Sequence, residues 1–203
     1  VTNATVTNLT LSGGSTGQIL SKSSSGKLEY IDPPPIKEYI CEFCNGQTIT
    51  TKSGTSLTFQ NVTGEQIGST SYTDVNGSVV TYLPPSGTTT VIYEFYFQHS
   101  WYDHHAIGNF RFYIDNIEQT NAKSGFSSRD LPESKVLIRV PIKITGTTSA
   151  SDCTLANWNS SKSLKLMYRV HGTGNQSQLF ETYYWDGTGN NQFCKPNLTL
   201  IAI

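Results

Sequence analysis

The chain has 203 residues, and its 14 lysines and arginines nearly balance its 15 aspartates and glutamates. The resulting net charge of −1 gives no electrostatic basis for binding nucleic acid or an anionic membrane, because either partner requires a basic patch. No apolar run is long enough to span a bilayer, and no signal peptide is recognisable. Because the chain begins with Val1 rather than Met, we expect a fragment or a processed product.

The composition predicts an all-β protein. Only 14% of the residues are charged, whereas 11 Tyr and 9 Phe accompany many Thr and Ser. Helices usually carry more Glu, Lys and Ala, and strands favour aromatic and β-branched residues. The length suits one large β domain with an extension.

Residues 1–35 are predicted to form a thin stem. The first residues are mostly Thr and Asn, and residues 18–22 and 27–31 predict two short strands joined by a turn. Such a hairpin buries too little surface to be stable alone, so we expect it to wrap with other copies or to pack on the rest of the chain. Three consecutive prolines at 33–35 favour a stiff connector, and we place the domain boundary there.

Residues 36–203 are predicted to form the head. In residues 136–144 every even position is apolar, and in residues 164–170 apolar residues alternate with Lys165 and Arg169, which indicates half-buried strands. Glycine, proline, asparagine and aspartate separate the candidate strands, which are 38–44, 56–61, 77–82, 90–101, 108–114, 135–145, 163–171, 178–185 and 198–203. A turn or two near 152–161 is the one helix candidate. Eight or nine such strands favour a jelly-roll sandwich, closed by a strand at the C-terminus.

Four cysteines, at positions 41, 44, 153 and 194, leave three interpretations open. Cys41 and Cys44 form a C-x-x-C, but a zinc site requires a second close pair and a redox site requires a βαβ unit. On a strand, Cys41 and Cys44 point to opposite faces. Ordinary free thiols, one or two disulfides and a metal site therefore all remain.

Two short motifs suggest chemistry that their context does not support. Residues 13–17 match G-x-S-x-G, but a nucleophile elbow requires a strand before the serine and a helix after it. Gly172-Thr-Gly174 and Gly187-Thr-Gly189 lack the third glycine of a dinucleotide loop and instead favour turns. No residue is positioned to activate a nucleophile, so we predict no enzymatic activity, no cofactor and no resident metal.

One dense cluster, residues 99–105, lies where a long aromatic strand ends. It contains the candidate receptor-binding residues Trp101, Tyr102, Asp103, His104 and His105, with Tyr184, Trp185 and Asp186 as a second set. Three interpretations compete. The cluster is a packed turn, a surface that stacks on and hydrogen-bonds to a receptor, or a metal site that uses these residues or His99.

Three segments resemble a known group of proteins. The first is Leu11-Ser-Gly-Gly-Ser-Thr-Gly-Gln-Ile-Leu20 followed by Gly26-Lys-Leu-Glu-Tyr-Ile31, which resembles the linker before the heads of phage tail fibres and large-virus fibres. Residues 82–95 and the ending 184–203 resemble strands of trimeric, tumour-necrosis-factor-like jelly-roll heads on such fibres. The resemblance implies a homotrimer on a virion surface or extracellular fibre that attaches to a receptor, glycan or protein, on a host or prey cell.

Physical reasoning favours the same assembly. The stem has no core of its own, and residues 93–97 and 110–113 carry more aromatic side chains than one small sandwich needs, so we expect some at a subunit interface. The alternative is that one chain buries both faces of these strands. Rival functions are a structural capsid or decoration protein without receptor binding, a carbohydrate-binding sandwich module and, least favoured, a polysaccharide-degrading spike.

Overall fold

A computed structural model describes residues 19–22, 26–31, 35–101, 105–129, 133–173, 177–180 and 193–203. Within these ranges all regular structure is β-strand, which confirms the predicted all-β class. The described residues contain no helix, and so no helix among them could cross a membrane. The chain divides into two units, which meet between Pro35 and Ile36.

Sixteen strands, numbered along the chain, lie in the described ranges. They are β1 Ile19–Lys22, β2 Leu28–Ile31, β3 Glu38–Phe43, β4 Thr48–Thr50, β5 Ser56–Thr58, β6 Gln66–Ile67, β7 Thr73–Asp74, β8 Val80–Tyr82, β9 Thr90–Trp101, β10 His105–Ile114, β11 Ile117–Arg129, β12 Glu133–Ile144, β13 Thr154–Leu155, β14 Lys162–Val170, β15 Ser177–Leu179 and β16 Asn197–Ala202.

The N-terminal unit contains the predicted hairpin. Strands β1 and β2 pair antiparallel, and Gly26 has the positive φ of 84° that a tight turn requires. Leu20 and Leu28 remain 42% and 49% exposed. Residues 1–18 and 32–34, which include the G-x-S-x-G sequence and two of the three prolines, lie outside the described residues.

The second unit is built on two main sheets. Strands β11, β10 and β14 follow one another in the five-stranded sheet, and β7 and β8 pair with successive parts of β14. In the seven-stranded sheet, β12 runs along one side of β9, while β16 and β15 pair with successive parts of its other side. On this other side, β3 pairs with β16 and β6 pairs with β15. Strand β13 pairs parallel with the end of β12. Strands β4 and β5 form a separate pair.

The core lies between the inward faces of the two sheets. The predicted alternation in β12 and β14 is confirmed, because the even positions from 136 to 144 and from 164 to 170 pack in the core. Ring centroids of Tyr93 and Phe112 are 4.9 Å apart, and those of Phe97 and Phe110 are 5.4 Å apart, so aromatic contacts join the sheets.

Some of the aromatic side chains in residues 93–97 and 110–113 were expected at a subunit interface, but most of them are buried in this core. Tyr93, Phe95 and Phe97 are at most 1% exposed, and Phe110 and Phe112 are similarly buried. Alternation along β9 leaves Tyr96 on the outward face, where it is 36% exposed. Within residues 93–97, the outward surplus is therefore this one tyrosine.

One prediction about the head is wrong, and one long strand was missed. The helix turn near 152–161 is absent, because the chain turns through Cys153, with φ of 51°, and β13 then pairs with β12. The long strand β11 was not predicted. It follows a two-residue turn in which Asp115 and Asn116 both have positive φ, as a type I′ hairpin requires.

Strand β11 could not be recognised from the sequence, because its residues are mostly polar and its pairing with β10 is irregular. The register with β10 shifts between Arg111 and Tyr113, which leaves residues 119–122 bulged away from β10. The predicted strands at 56–61 and 77–82 are shorter in the structure, and residues 181–185 of the strand predicted at 178–185 lie outside the described residues.

Candidate functional site

The structure describes little of the two predicted receptor-binding sets. Trp101 is the last residue of β9, and His105 is the first residue of β10. Tyr102, Asp103 and His104 lie outside the described residues, as do Tyr184, Trp185 and Asp186. The predicted contacts of these side chains therefore stay predictions.

The described flanks show where both predicted segments leave the sheet. Ser177 pairs with Trp101, and the Phe180 N–H donates a hydrogen bond of 2.8 Å to the Gln98 carbonyl. Phe180 has a φ of 72° and a side chain that is fully buried against Phe97. The first segment follows Trp101, whereas β15 runs antiparallel to β9, so the second segment leaves the sheet beside Gln98 and His99. We call this last part of β9, residues 98–101, with the strand paired to it, the Trp101 end of the head.

The core at the Trp101 end is unusually polar. His99, Ser177 and Gln178 are at most 4% exposed. The Tyr168 hydroxyl is hydrogen-bonded to the Ser177 hydroxyl, and the Gln178 amide donates to the Glu65 carboxylate. In the described part of the chain, His99 Nε2 and Gln178 Oε1 have no partner, which is costly for buried polar atoms.

His99 is a core residue, and the described residues do not support a metal site around it. Its ring lies 4.3 Å from that of Phe126, and burial lowers its pKa to about 4. Among the described residues, no group of three or more His, Cys, Asp or Glu side chains is arranged to hold a metal ion. His99 therefore lies in the core as a neutral imidazole.

The four cysteines are free thiols. Cys41 is exposed and Cys44 is buried, as their spacing on one strand predicts. Burial raises the pKa of Cys44 to about 12, and burial together with Asp152 raises the pKa of Cys153. These two thiols are therefore protonated at neutral pH and are poor nucleophiles.

The outward side of the seven-stranded sheet carries an exposed apolar surface. Tyr39, Phe43, Tyr96 and Leu137 are 61%, 57%, 36% and 55% exposed, and we call these four residues the apolar face. The strand register places Phe43 in one row with Tyr96 and Leu137, across Asn197. Side chains in such a row are close enough to form one continuous surface.

Two further rows lie beside this one on the same side of the sheet. Tyr39 belongs to a second apolar row, and between the two apolar rows lies a polar row in which Glu94 and Arg139 form an ion pair of 3.3 Å. By register, the second apolar row is Tyr39, Ile201, Ile92 and Pro141, and the polar row is Cys41, Thr199, Glu94 and Arg139. These three rows thus combine large apolar side chains with one charge of each sign.

No protein-family model matches the chain, and no curated protein matches it at a significant level. Among the described residues, the apolar face is the main functional candidate, because its four large side chains are exposed on one side of one sheet. It was not predicted, although the odd positions Tyr39, Cys41 and Phe43 alternate with buried residues in the sequence. That signal identifies the outward residues of β3, but not which strands lie beside it.

Proposed function

We propose that the chain forms the tip of a homotrimeric fibre or spike, with a jelly-roll head that attaches to a receptor on a host or prey cell without catalysing a reaction. The apolar face carries the proposal. Four large side chains, each at least 36% exposed, lie on one side of one sheet. Contiguous exposed apolar surface of this kind marks interaction sites, and aromatic residues are enriched at the centre of protein interfaces.

Other copies of the same chain are the partner that suits this surface. Tyr39, Phe43 and Leu137 supply apolar contact area, while Glu94 and Arg139 place one charge of each sign between the apolar rows. A second copy carries both charges as well, so opposite charges are available on each side of a contact between copies. Copies related by symmetry use such surfaces repeatedly and close into a defined oligomer.

The N-terminal unit requires the same partner. A two-stranded hairpin is marginal by itself in water, and this one leaves Leu20 and Leu28 about half exposed. Three hairpins wrapped together would bury those leucines in a shared core. One assembly therefore accounts for exposed apolar residues in both units.

Attachment is assigned to the Trp101 end. Residues held by a rigid scaffold commonly carry recognition, and the two predicted receptor-binding sets follow β9 and β15, which pair with each other there. Three copies of a weak site on one fibre would bind a cell surface with an avidity that far exceeds the affinity of one site. This is the physical advantage of a trimer for attachment.

Light scattering of the full chain tests the assembly. We expect three times the mass of one chain, and we expect the double variant Tyr39→Glu/Leu137→Glu to lower the mass because it buries two new charges. The matched control is Ile117→Glu, since Ile117 is 59% exposed on the other sheet and its substitution should leave the mass unchanged. A wild-type monomer would contradict the trimer.

Binding of fluorescent full chain to candidate host or prey cells tests the attachment. We expect saturable binding that unlabelled chain displaces, and weaker binding by the double variant because it has lost avidity. A trimer that binds no cell type, but binds capsids saturably, would favour the structural alternative.

A further inference from the structure

Two arginines share one tyrosine ring on the outward side of the five-stranded sheet. The guanidinium carbon of Arg111 lies 4.3 Å from the centroid of the Tyr72 ring, and that of Arg169 lies 5.3 Å from it. We call Tyr72, Arg111 and Arg169 the arginine–tyrosine cluster. Cation–π attraction to one ring offsets part of the repulsion between the two positive charges.

The three side chains of the cluster differ in their polar partners. Arg111 forms an ion pair of 2.8 Å with Glu118, and the Tyr72 hydroxyl donates a hydrogen bond of 3.0 Å to Asn109 Oδ1. Arg169 is exposed, and within the described part of the chain its guanidinium contacts the Tyr72 ring and no carboxylate. Arg111 and Tyr72 are thus held in place, while Arg169 is available to an anion.

The surface around the cluster has an excess of positive charge. Lys123 shares Glu118 with Arg111 at 3.5 Å, and Lys165 pairs with Asp74 at 2.9 Å. Among the described side chains around the cluster, four cations therefore face two carboxylates, which leaves two positive charges on one side of a sheet in a chain whose net charge is −1. The local field favours an anionic ligand.

A glycine leaves the surface beside the cluster uncovered. Gly125 pairs with Asn109 and has no side chain, and a Cβ at this position would lie at ordinary contact distance, 3.7 Å from Asn109 Nδ2. Because Asn109 Oδ1 accepts from Tyr72, its amide N–H groups are directed to other acceptors. The exposed Ser127 hydroxyl lies two residues further along β11.

We propose that the arginine–tyrosine cluster binds the carboxylate or sulfate of an acidic saccharide, with Arg169 as the principal donor. Arginine pairs with planar or tetrahedral anions through two parallel hydrogen bonds. In this arrangement the amide of Asn109 and the hydroxyl of Ser127 form hydrogen bonds with sugar hydroxyls that lie over Gly125. Two excess charges suit one anionic group, whereas a nucleic acid requires many phosphate contacts. The inference rests on the proposed attachment function and specifies the chemical class of its receptor.

Saturation-transfer NMR and calorimetry on the full chain test the inference with three matched probes. They are 3′-sialyllactose, which carries a carboxylate, lactose 3′-sulfate, and lactose as the neutral control. We expect one or both acidic probes to bind and lactose to show no measurable affinity. The two acidic probes distinguish a carboxylate receptor from a sulfate receptor. Binding should weaken as sodium chloride is raised, because the contact is electrostatic.

Variants locate the binding. Arg169→Ala should weaken binding of the acidic probe by about tenfold or more, the usual loss for a hydrogen bond to a charged group. Arg139→Ala removes an arginine from the other sheet and should leave the affinity unchanged. Tyr72→Phe keeps the ring and should have a smaller effect than Arg169→Ala. Thermal denaturation of each variant checks that the head remains folded. We expect Arg169→Ala to fold normally, because Arg169 is exposed.

The outcomes separate this inference from the proposed function. Equal affinity of the wild type and Arg169→Ala would overturn the site. Cell attachment without affinity for either acidic probe would overturn the saccharide class but preserve the attachment function. Affinity for an acidic probe that depends on Arg169, in a chain that binds no cells, would support the site and contradict the attachment function.

Discussion

The two ends of the head satisfy their buried polar groups differently. At the end that contains the C-terminal residue, which we call the Ile203 end, the Tyr82 hydroxyl donates to the Glu38 carboxylate at 2.6 Å, and Trp158 Nε1 donates to the Tyr82 carbonyl at 3.1 Å. At the Trp101 end, His99 Nε2 and Gln178 Oε1 are buried without partners in the described part of the chain.

This difference indicates where the head is least stable. Each unsatisfied buried polar atom costs about 1–3 kcal/mol, whereas the partnered groups at the Ile203 end contribute to stability. Binding regions are commonly drawn from the less stable part of a fold. The Trp101 end, from which both predicted receptor-binding segments depart, therefore combines lower local stability with the proposed attachment role.

Truncating one phenylalanine in each half of the core should give the largest effect. Phe112 is fully buried against Tyr93, so Phe112→Ala should lower the free energy of unfolding by about 3–5 kcal/mol. Phe126 is half-buried beside His99, so Phe126→Ala should cost roughly half as much. Urea denaturation of both variants measures the difference. Equal losses would contradict the idea that the core is less stable at the Trp101 end.

Acid should destabilise the Trp101 end through His99. Burial lowers the pKa of His99 from 6.5 to about 4, so between these values the unfolded chain binds a proton that the folded chain does not. Stability should therefore be unaffected by this group above pH 6.5 and should fall as the pH decreases toward 4. The accumulated loss is about 3 kcal/mol.

The matched variant for this prediction is His99→Phe, which keeps an aromatic ring beside Phe126 but has no titratable group. Urea denaturation between pH 7 and pH 4 should show a smaller acid-induced loss for this variant than for the wild type. The exposed His171 supplies a control, because His171→Phe removes an imidazole that is not buried and this variant should behave like the wild type. Identical pH dependence in the wild type and His99→Phe would exclude His99 as the cause.

The strands with clear alternation could be predicted from the sequence, and the surfaces could not. Alternation in residues 136–144 depends on neighbours along one strand, and it correctly assigns the inward positions. The apolar face depends instead on the register that places Phe43 in one row with Leu137. Tyr72 and Arg169 likewise meet only after the chain has folded. Such long-range pairings carry no local signal in one sequence.

Removing one hydroxyl at a time should give the smallest of these effects and should test the partnered end directly. The Tyr82 hydroxyl donates to a buried carboxylate, and the Tyr93 hydroxyl donates to the neutral Ser78 carbonyl at 2.8 Å. Hydrogen bonds to charged groups contribute more, so Tyr82→Phe should lower the free energy of unfolding by about 2 kcal/mol and Tyr93→Phe by about 1 kcal/mol. Urea denaturation at pH 7 gives both values. If Tyr82→Phe proved neutral, the Glu38 carboxylate would have found another donor, and the contrast between the two ends would rest on the Trp101 end alone.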